Sequence, residues 1–239
     1  MKAELSIIIP VFNEEKTILE ILKKIKESLS GENNYEVIVI DDGSRDNTLK
    51  LLENNKSLYN KLIINEINKG KGFAVIKGIE ASEGKYIAFQ DADLEYDPIE
   101  FNNILKIFNE MDADIVFGSR INYKNYTRSH NFLNLIANKS LTLYFNILFN
   151  CTFTDIYSCY LSFRRDLINT EKLKCYDFGQ QAELLCQIIR KSKKNYEIPI
   201  NYNGRSKEDG KKIRWYHFFS VIYQITKASE IPDIISKAF

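Results

Sequence analysis

Histidine and cysteine are scarce in this sequence: His130 and His217, with Cys151, Cys159, Cys175 and Cys186, among 239 residues. The cysteines show no CxxC spacing and the histidines do not complete a Cys/His set, so neither a structural zinc site nor a disulfide framework is expected. The thiols are read as free. An excess of either charge is missing too. Thirty-three Lys and Arg stand against 32 Asp and Glu, a net +1, so no overall field recruits nucleic acid and phosphate recognition has to be local. No run of eighteen uninterrupted apolar residues occurs, because even the most apolar stretch, 132–149, contains Asn134, Asn138, Lys139 and Asn146. A membrane-crossing helix is therefore not expected. The apolar run near the N-terminus is too short for a signal peptide and reads as a strand, which points to a cytoplasmic protein. Proline-rich stretches, low-complexity linkers and internal repeats are absent, and one domain over 1–239 is expected. Two nucleotide motifs are missing as well. No GxGxxG follows the first apolar run, and Lys69-Gly70-Lys71-Gly72 lacks the spacer and hydroxyl residue of a Walker loop, which excludes a dinucleotide-binding Rossmann enzyme and a P-loop NTPase.

What is present is a core and a rhythm. Hydrophobic residues make up 44% and charged residues 27% of the chain, enough for a globular interior. Strand-like apolar runs at 5–11, 36–40, 62–64, 86–89 and 115–117 alternate with helical periodicity at 17–29, 48–58, 73–81 and 99–111. This pattern predicts an α/β fold, a mostly parallel central sheet flanked by helices. Beyond residue 120 the alternation weakens into an amphipathic 132–149, an apolar run at 160–163, a helix over 181–190, a strand near 196–200 and an amphipathic 215–228. We read 1–120 as the nucleotide-binding half and 121–239 as the acceptor half. The tyrosines and phenylalanines of the second half leave contact with a membrane surface open, at the cytoplasmic face.

In parallel sheets ligands bind at the carboxyl ends of the strands, and the residues there are polar: Asn13 and Glu14, Asp41 and Asp42, Asp91, Asp93 and Glu95, then Ser119 and Arg120. One cleft would collect them. In Asp91-Ala92-Asp93-Leu94-Glu95, carboxylates two apart share one face of an extended chain. Their hard oxygens suit Mg2+ or Mn2+, which retain positions for the oxygens of a diphosphate and neutralise it as it departs. The plainer reading is an acidic turn that caps the helix after Pro98. Asp41-Asp42-Gly43-Ser44 places two carboxylates that need partners before a tight turn. One could accept from a base or ribose, or Ser44 or Asp46 could simply cap the next helix. Lys71 could reach a phosphate.

Taken together, Ser6-Ile7-Ile8-Ile9-Pro10-Val11-Phe12-Asn13-Glu14-Glu15, Asp41-Asp42-Gly43-Ser44, Asn68-Lys69-Gly70-Lys71-Gly72 and Asp91-Ala92-Asp93-Leu94 resemble, in this order, the family 2 glycosyltransferases. Gly118-Ser119-Arg120, Thr154-Asp155-Ile156-Tyr157-Ser158-Cys159-Tyr160, Glu197-Ile198-Pro199-Ile200 and Gly204-Arg205-Ser206 narrow the resemblance to the dolichyl- and polyprenyl-phosphate hexose synthases. The resemblance implies a GT-A, Rossmann-like fold and metal-dependent, inverting transfer from a UDP- or GDP-sugar. By the same resemblance Pro10, Phe12, Glu14 and Asp41 line the base and ribose pocket with Asp42 in support. Asp91, Ala92 and Asp93 meet the nucleotide-sugar, and Asp91, Asp93 and Glu95 hold the metal. Arg120, Arg205 and Lys211 meet phosphates of donor or acceptor, Asp155 faces the acceptor, and Glu183 stands behind it. Gln180 and Gln181 depart from the branch, which commonly carries an aromatic and an acidic residue there.

The favoured acceptor is a polyprenyl phosphate, whose oxygen is already anionic. A hydroxyl of a surface glycan would instead need a base, for which Asp155 is the first candidate and Glu183 the second. A third expectation is a sugar-nucleotide binding protein without catalysis.

Overall fold

Largely apolar runs mark strands covered on both faces, and LSIIIPV, Leu5–Val11, forms β1 in the interior of the sheet. The computed structural model describes residues 3–31, 34–121, 132–177, 179–204 and 217–229. After β1 come α1 (Ile18–Ser28), β2 (Tyr35–Asp41), α2 (Thr48–Asn54), β3 (Lys61–Ile64), α3 (Lys71–Ala81) and β4 (Tyr86–Phe89). Then follow α4 (Glu100–Met111), β5 (Ile115–Ser119), α5 (Phe132–Phe149), β6 (Leu161–Arg164), α6 (Gln180–Ile189), β7 (Asn195–Pro199) and α7 (His217–Ser229).

The strands form one seven-stranded sheet in the order β3-β2-β1-β4-β6-β5-β7. β6 runs antiparallel to β4 and β5, and the remaining neighbours are parallel. The mostly parallel sheet expected from the alternation is what forms. Its helices bury one stripe each: Ile18, Ile21, Leu22 and Ile25 on α1, and Phe101, Ile104, Leu105 and Phe108 on α4, the spacing that turns one helical face inward. α3 lies tighter, since a β-carbon at Gly78 would overlap Ile8 on β1.

Two boundaries differ from the sequence reading, each for a local reason. The helix expected over 48–58 breaks at Asn55 (φ −127°, ψ 42°) and resumes as a 3-10 turn, Lys56–Leu58. Asn55 Nδ2 bonds Leu51 O at 2.8 Å, the competition with backbone that disfavours Asn within helices. α3 begins two residues earlier than its apolar period, at Lys71, which brings that lysine to the carboxyl ends of the strands.

Candidate functional site

The carboxyl ends of β1, β2 and β4 lie side by side, with Val11 opposite Asp41. Asp41 is 1% exposed. Its Oδ2 accepts from Ser44 N at 3.2 Å, while Oδ1 is buried with no hydrogen-bond partner among the described residues. A buried carboxylate oxygen without a donor is costly, so it is suited to a ligand N–H or O–H. Asp42 is engaged differently: it accepts from Asn65 Nδ2 at 2.8 Å, Lys69 N at 3.1 Å and Gly70 N at 2.8 Å. It fastens the loop that leads into α3. Gly43 turns with φ 72° where a β-carbon would lie 2.8 Å from Asn68 N. Asn13 (φ 54°) locks the same corner, its N–H donating to Ser44 Oγ at 3.0 Å and its Oδ1 accepting from Arg45 N at 2.8 Å. Glu14 N donates to Thr48 Oγ1 at 2.9 Å. Asp46 does cap, accepting from Thr48 N at 3.0 Å. Pro10 is the penultimate residue of β1, opposite Ile40, and Phe12 follows the strand directly.

The acidic segment corrects one expectation. β4 ends at Phe89, and 91–95 form a turn with Leu94 at φ 63°, so the alternation of an extended chain does not apply. Glu95 is drawn aside, its Oε2 accepting from Tyr202 Oη at 2.8 Å and its backbone O from Asn203 N at 2.9 Å. Among the described residues no three His, Cys, Asp or Glu side chains come together as a metal set. Asp91 and Asp93, flanking buried Ala92, still fit Mg2+ or Mn2+, which bind through one or two carboxylates plus waters and substrate phosphates. Asp91 Oδ1 receives Lys71 Nζ at 2.6 Å. Burial lowers the Lys71 pKa, but Asp91 outweighs it and the net shift is upward.

At the end of β5, Arg120 meets Asp155 through Nε–Oδ2 at 2.7 Å and Nη2–Oδ1 at 2.8 Å, with Arg120 N on Oδ2 at 3.1 Å. Such a bidentate fork fixes direction as well as charge. Asp155 is fully buried and also accepts from Asn138 Nδ2 at 2.8 Å. Burial pushes its pKa up, yet Arg120 and Asn138 overcome that and hold the carboxyl below its ordinary value. A carboxylate so held is a weak base, and both of its oxygens are turned to Arg120. Glu183 is likewise engaged, accepting from Lys174 N at 2.9 Å and Cys175 N at 2.9 Å. Arg205 and Lys211 lie outside the described residues.

Tyr96, Tyr202 and Asn138 carried no signal in spacing or motif, and Glu197 stood in a matching segment, Glu197-Ile198-Pro199-Ile200, without a role of its own. Tyr96 Oη accepts from Arg120 Nη1 at 3.4 Å and Cys159 N at 3.2 Å. The Tyr202 ring lies 5.3 Å from the Arg120 guanidinium carbon, and a β-bridge joins Tyr96 to Tyr202. Asn138 reaches Asp155 from α5, and Glu197 on β7 holds the turn beneath it by accepting from Thr154 N at 2.9 Å and Asp155 N at 3.2 Å. The four cysteines are free.

The sequence profile described as Glycosyl transferase family 2 matches residues 6–170. An uncharacterised protein of Methanocaldococcus jannaschii is 35% identical over 212 residues, 83% of this chain and 89% of that one. A dolichol-phosphate mannosyltransferase of Pyrococcus furiosus is 28% identical, over 97% of this chain but 66% of its own length. Among solved structures, a Mycobacterium tuberculosis glucosyl-3-phosphoglycerate synthase in complex with Mn2+, uridine diphosphate and glucosyl-3-phosphoglycerate aligns with TM-score 0.67 at 16% identity, covering 95% of this chain and 80% of that one. That likeness concerns the GT-A fold.

Proposed function

Because the chain belongs to the family 2 glycosyltransferases, we propose that it moves a hexose-type sugar from a UDP- or GDP-sugar to a polyprenyl phosphate, with inversion at the anomeric carbon. The observation that carries the choice of acceptor is the state of the carboxylates around Arg120 and the start of α6. Asp155 faces Arg120 and Asn138, Glu183 and Glu197 accept backbone N–H groups, and Asp177 accepts from Gly179 N at 2.7 Å. A hydroxyl nucleophile needs a base, whereas a phosphate monoester arrives as an anion and needs positioning. The dolichol-phosphate relative in Pyrococcus agrees with this reading.

In this scheme Asp41 Oδ1 accepts from the base or ribose beside Pro10, Phe12 and Glu14, and Asp42 keeps the pocket wall in place. Asp91 and Asp93 hold Mg2+ or Mn2+, which when bound supplies charge neutralisation for the departing diphosphate. Arg120, aimed by Asp155, Tyr96 and Tyr202, meets a phosphate of donor or acceptor, a role the family resemblance extends to Arg205 and Lys211.

A lipid acceptor has its phosphate at a membrane surface, and we assign the contact to α5 and α7. No described helix is long and apolar enough to cross a membrane. α5 nevertheless exposes Ile136, Leu143 and Ile147 at 45%, 61% and 65%, and α7 exposes Tyr223 at 60%. Tyr144 and Thr226 join the two helices at 2.8 Å. Neither helix carries an acidic residue, while Lys139 and Lys227 add positive charge, the combination that favours an anionic lipid surface.

The test is transfer of labelled sugar from UDP- and GDP-hexoses to a polyprenyl phosphate, followed by extraction into organic solvent. Label in the organic phase, lost with chelator and in folded Asp93→Asn, is the expected result. Label found only on a water-soluble glycan would overturn the acceptor, and no turnover of any donor would overturn the activity.

A further inference from the structure

Stability does not account for the contact between Lys71 and Asp91. Their side chains are 46% and 22% exposed, so water could serve either charge, and an exposed ion pair adds little to a fold. Yet Nζ lies 2.6 Å from Asp91 Oδ1, on one of the two carboxylates assigned to the divalent ion. The lysine is also held there by its backbone. It is the first residue of α3, and Asp42 grips Lys69 N and Gly70 N immediately before it. Immediately after it, Gly72 N donates to Tyr176 O at 3.1 Å. A β-carbon at Gly72 would come within 2.8 Å of Cys175 O and Gln180 Cβ. Lys71 itself lines a small cavity with Val75, Phe89 and Leu184. With the backbone anchored on both sides of it, Lys71 keeps its ammonium within reach of Asp91.

We propose that Lys71 is the resident counter-ion of Asp91 and yields that carboxylate to a divalent ion only when a nucleoside diphosphate enters, so that metal binding is conditional on the donor. This rests on the metal assignment made above. Without nucleotide, a divalent ion on Asp91 would stand within a few ångströms of an ammonium, and like charges at that range repel strongly. A diphosphate changes both sides of the exchange. It offers Lys71 a new anionic partner, and it brings the metal additional oxygen ligands. The order follows: metal and donor enter together, and metal alone binds weakly.

The experiment is Mn2+ binding to purified protein, read from the electron paramagnetic resonance signal of free Mn2+. Wild type, Lys71→Met and Lys71→Gln are compared without nucleotide, then with UDP and with GDP, after circular dichroism shows each is folded. Lys71→Met keeps the length of the stem and removes the charge. Without nucleotide both variants should bind Mn2+ about tenfold or more tightly than wild type, and a nucleotide should tighten Mn2+ on wild type far more than on either variant. Equal nucleotide-free affinities in all three proteins, with Mn2+ still bound when nucleotide is present, would overturn the exchange and leave the metal site standing. No Mn2+ binding to any of them under any condition would overturn the metal assignment together with the exchange.

Discussion

Arg120 and Asp155 form the most enclosed ion pair of the site, with side chains 18% and 0% exposed. Removing one partner of such a pair leaves the other charge buried, at a cost of about 3–5 kcal/mol. Asp155→Asn should therefore lose stability of that order in denaturant unfolding, and transfer should fall with it. The sign with pH follows from the lowered Asp155 pKa. A carboxyl depressed in the folded state contributes stability above its unfolded value of about 3.9 and loses it as pH falls through the folded value. Wild type should lose stability on acidification below about pH 4, and Asp155→Asn should show a flatter curve there. Arg120→Lys is a separate expectation at the same residue. It keeps the charge but not the fork, so the pH profile of transfer should hold its shape while kcat drops by about tenfold or more. A profile that lost an acidic limb in Asp155→Asn would return Asp155 to the role of base.

The start of α3 is where one element determines the chemistry of another. Gly70 sits at φ 97°, and a β-carbon there would come 2.7 Å from Tyr176 O. Gly70→Ala should cost about 1–3 kcal/mol from backbone strain. Because Lys71 is next in sequence, nucleotide-dependent Mn2+ binding should change as well, and calorimetry on the same samples checks both. This element also shows what could be read from the chain and what could not. Strand runs such as 5–11 and 86–89 are local patterns, and they appear with the bounds the residues imply. The positions after them were legible for the same reason, since a parallel sheet puts strand ends in one place. The pairing of Lys71 with Asp91 joins two loops through a helix start that apolar period alone places two residues late. The turn that replaces an extended 91–95 was not legible, because a left-handed Leu94 has no composition signal. Tyr96, Tyr202 and Asn138 were silent, and Glu197 had a motif but no role, because their contacts span from 17 to 107 positions of sequence. Asp155 carried a motif signal, but its burial and its five donor groups are facts of packing.

For the molecule as a whole, the apolar face of α5 and α7 is the feature that would place the cleft against its acceptor. Asn138, which orients Asp155, lies on α5 two residues from exposed Ile136, so surface and site share one helix. Leu143→Asp combined with Ile147→Asp should weaken flotation with anionic vesicles by about tenfold or more, since each large apolar side chain contributes about 1.5–3 kcal/mol when buried. Turnover of a short-chain, water-soluble phosphate acceptor should be retained. Unchanged flotation would move the contact away from α5. Another feature at this scale is the place of β6. Although Leu161–Arg164 comes late in the chain, it lies between β4 and β5, and β5 pairs only with β6 and β7 among the described strands. A fragment ending near residue 120 would carry β5 with no neighbour to hydrogen-bond. The line drawn near residue 120 is thus not a seam along which the protein could be cut, hinged open or exchanged with a relative.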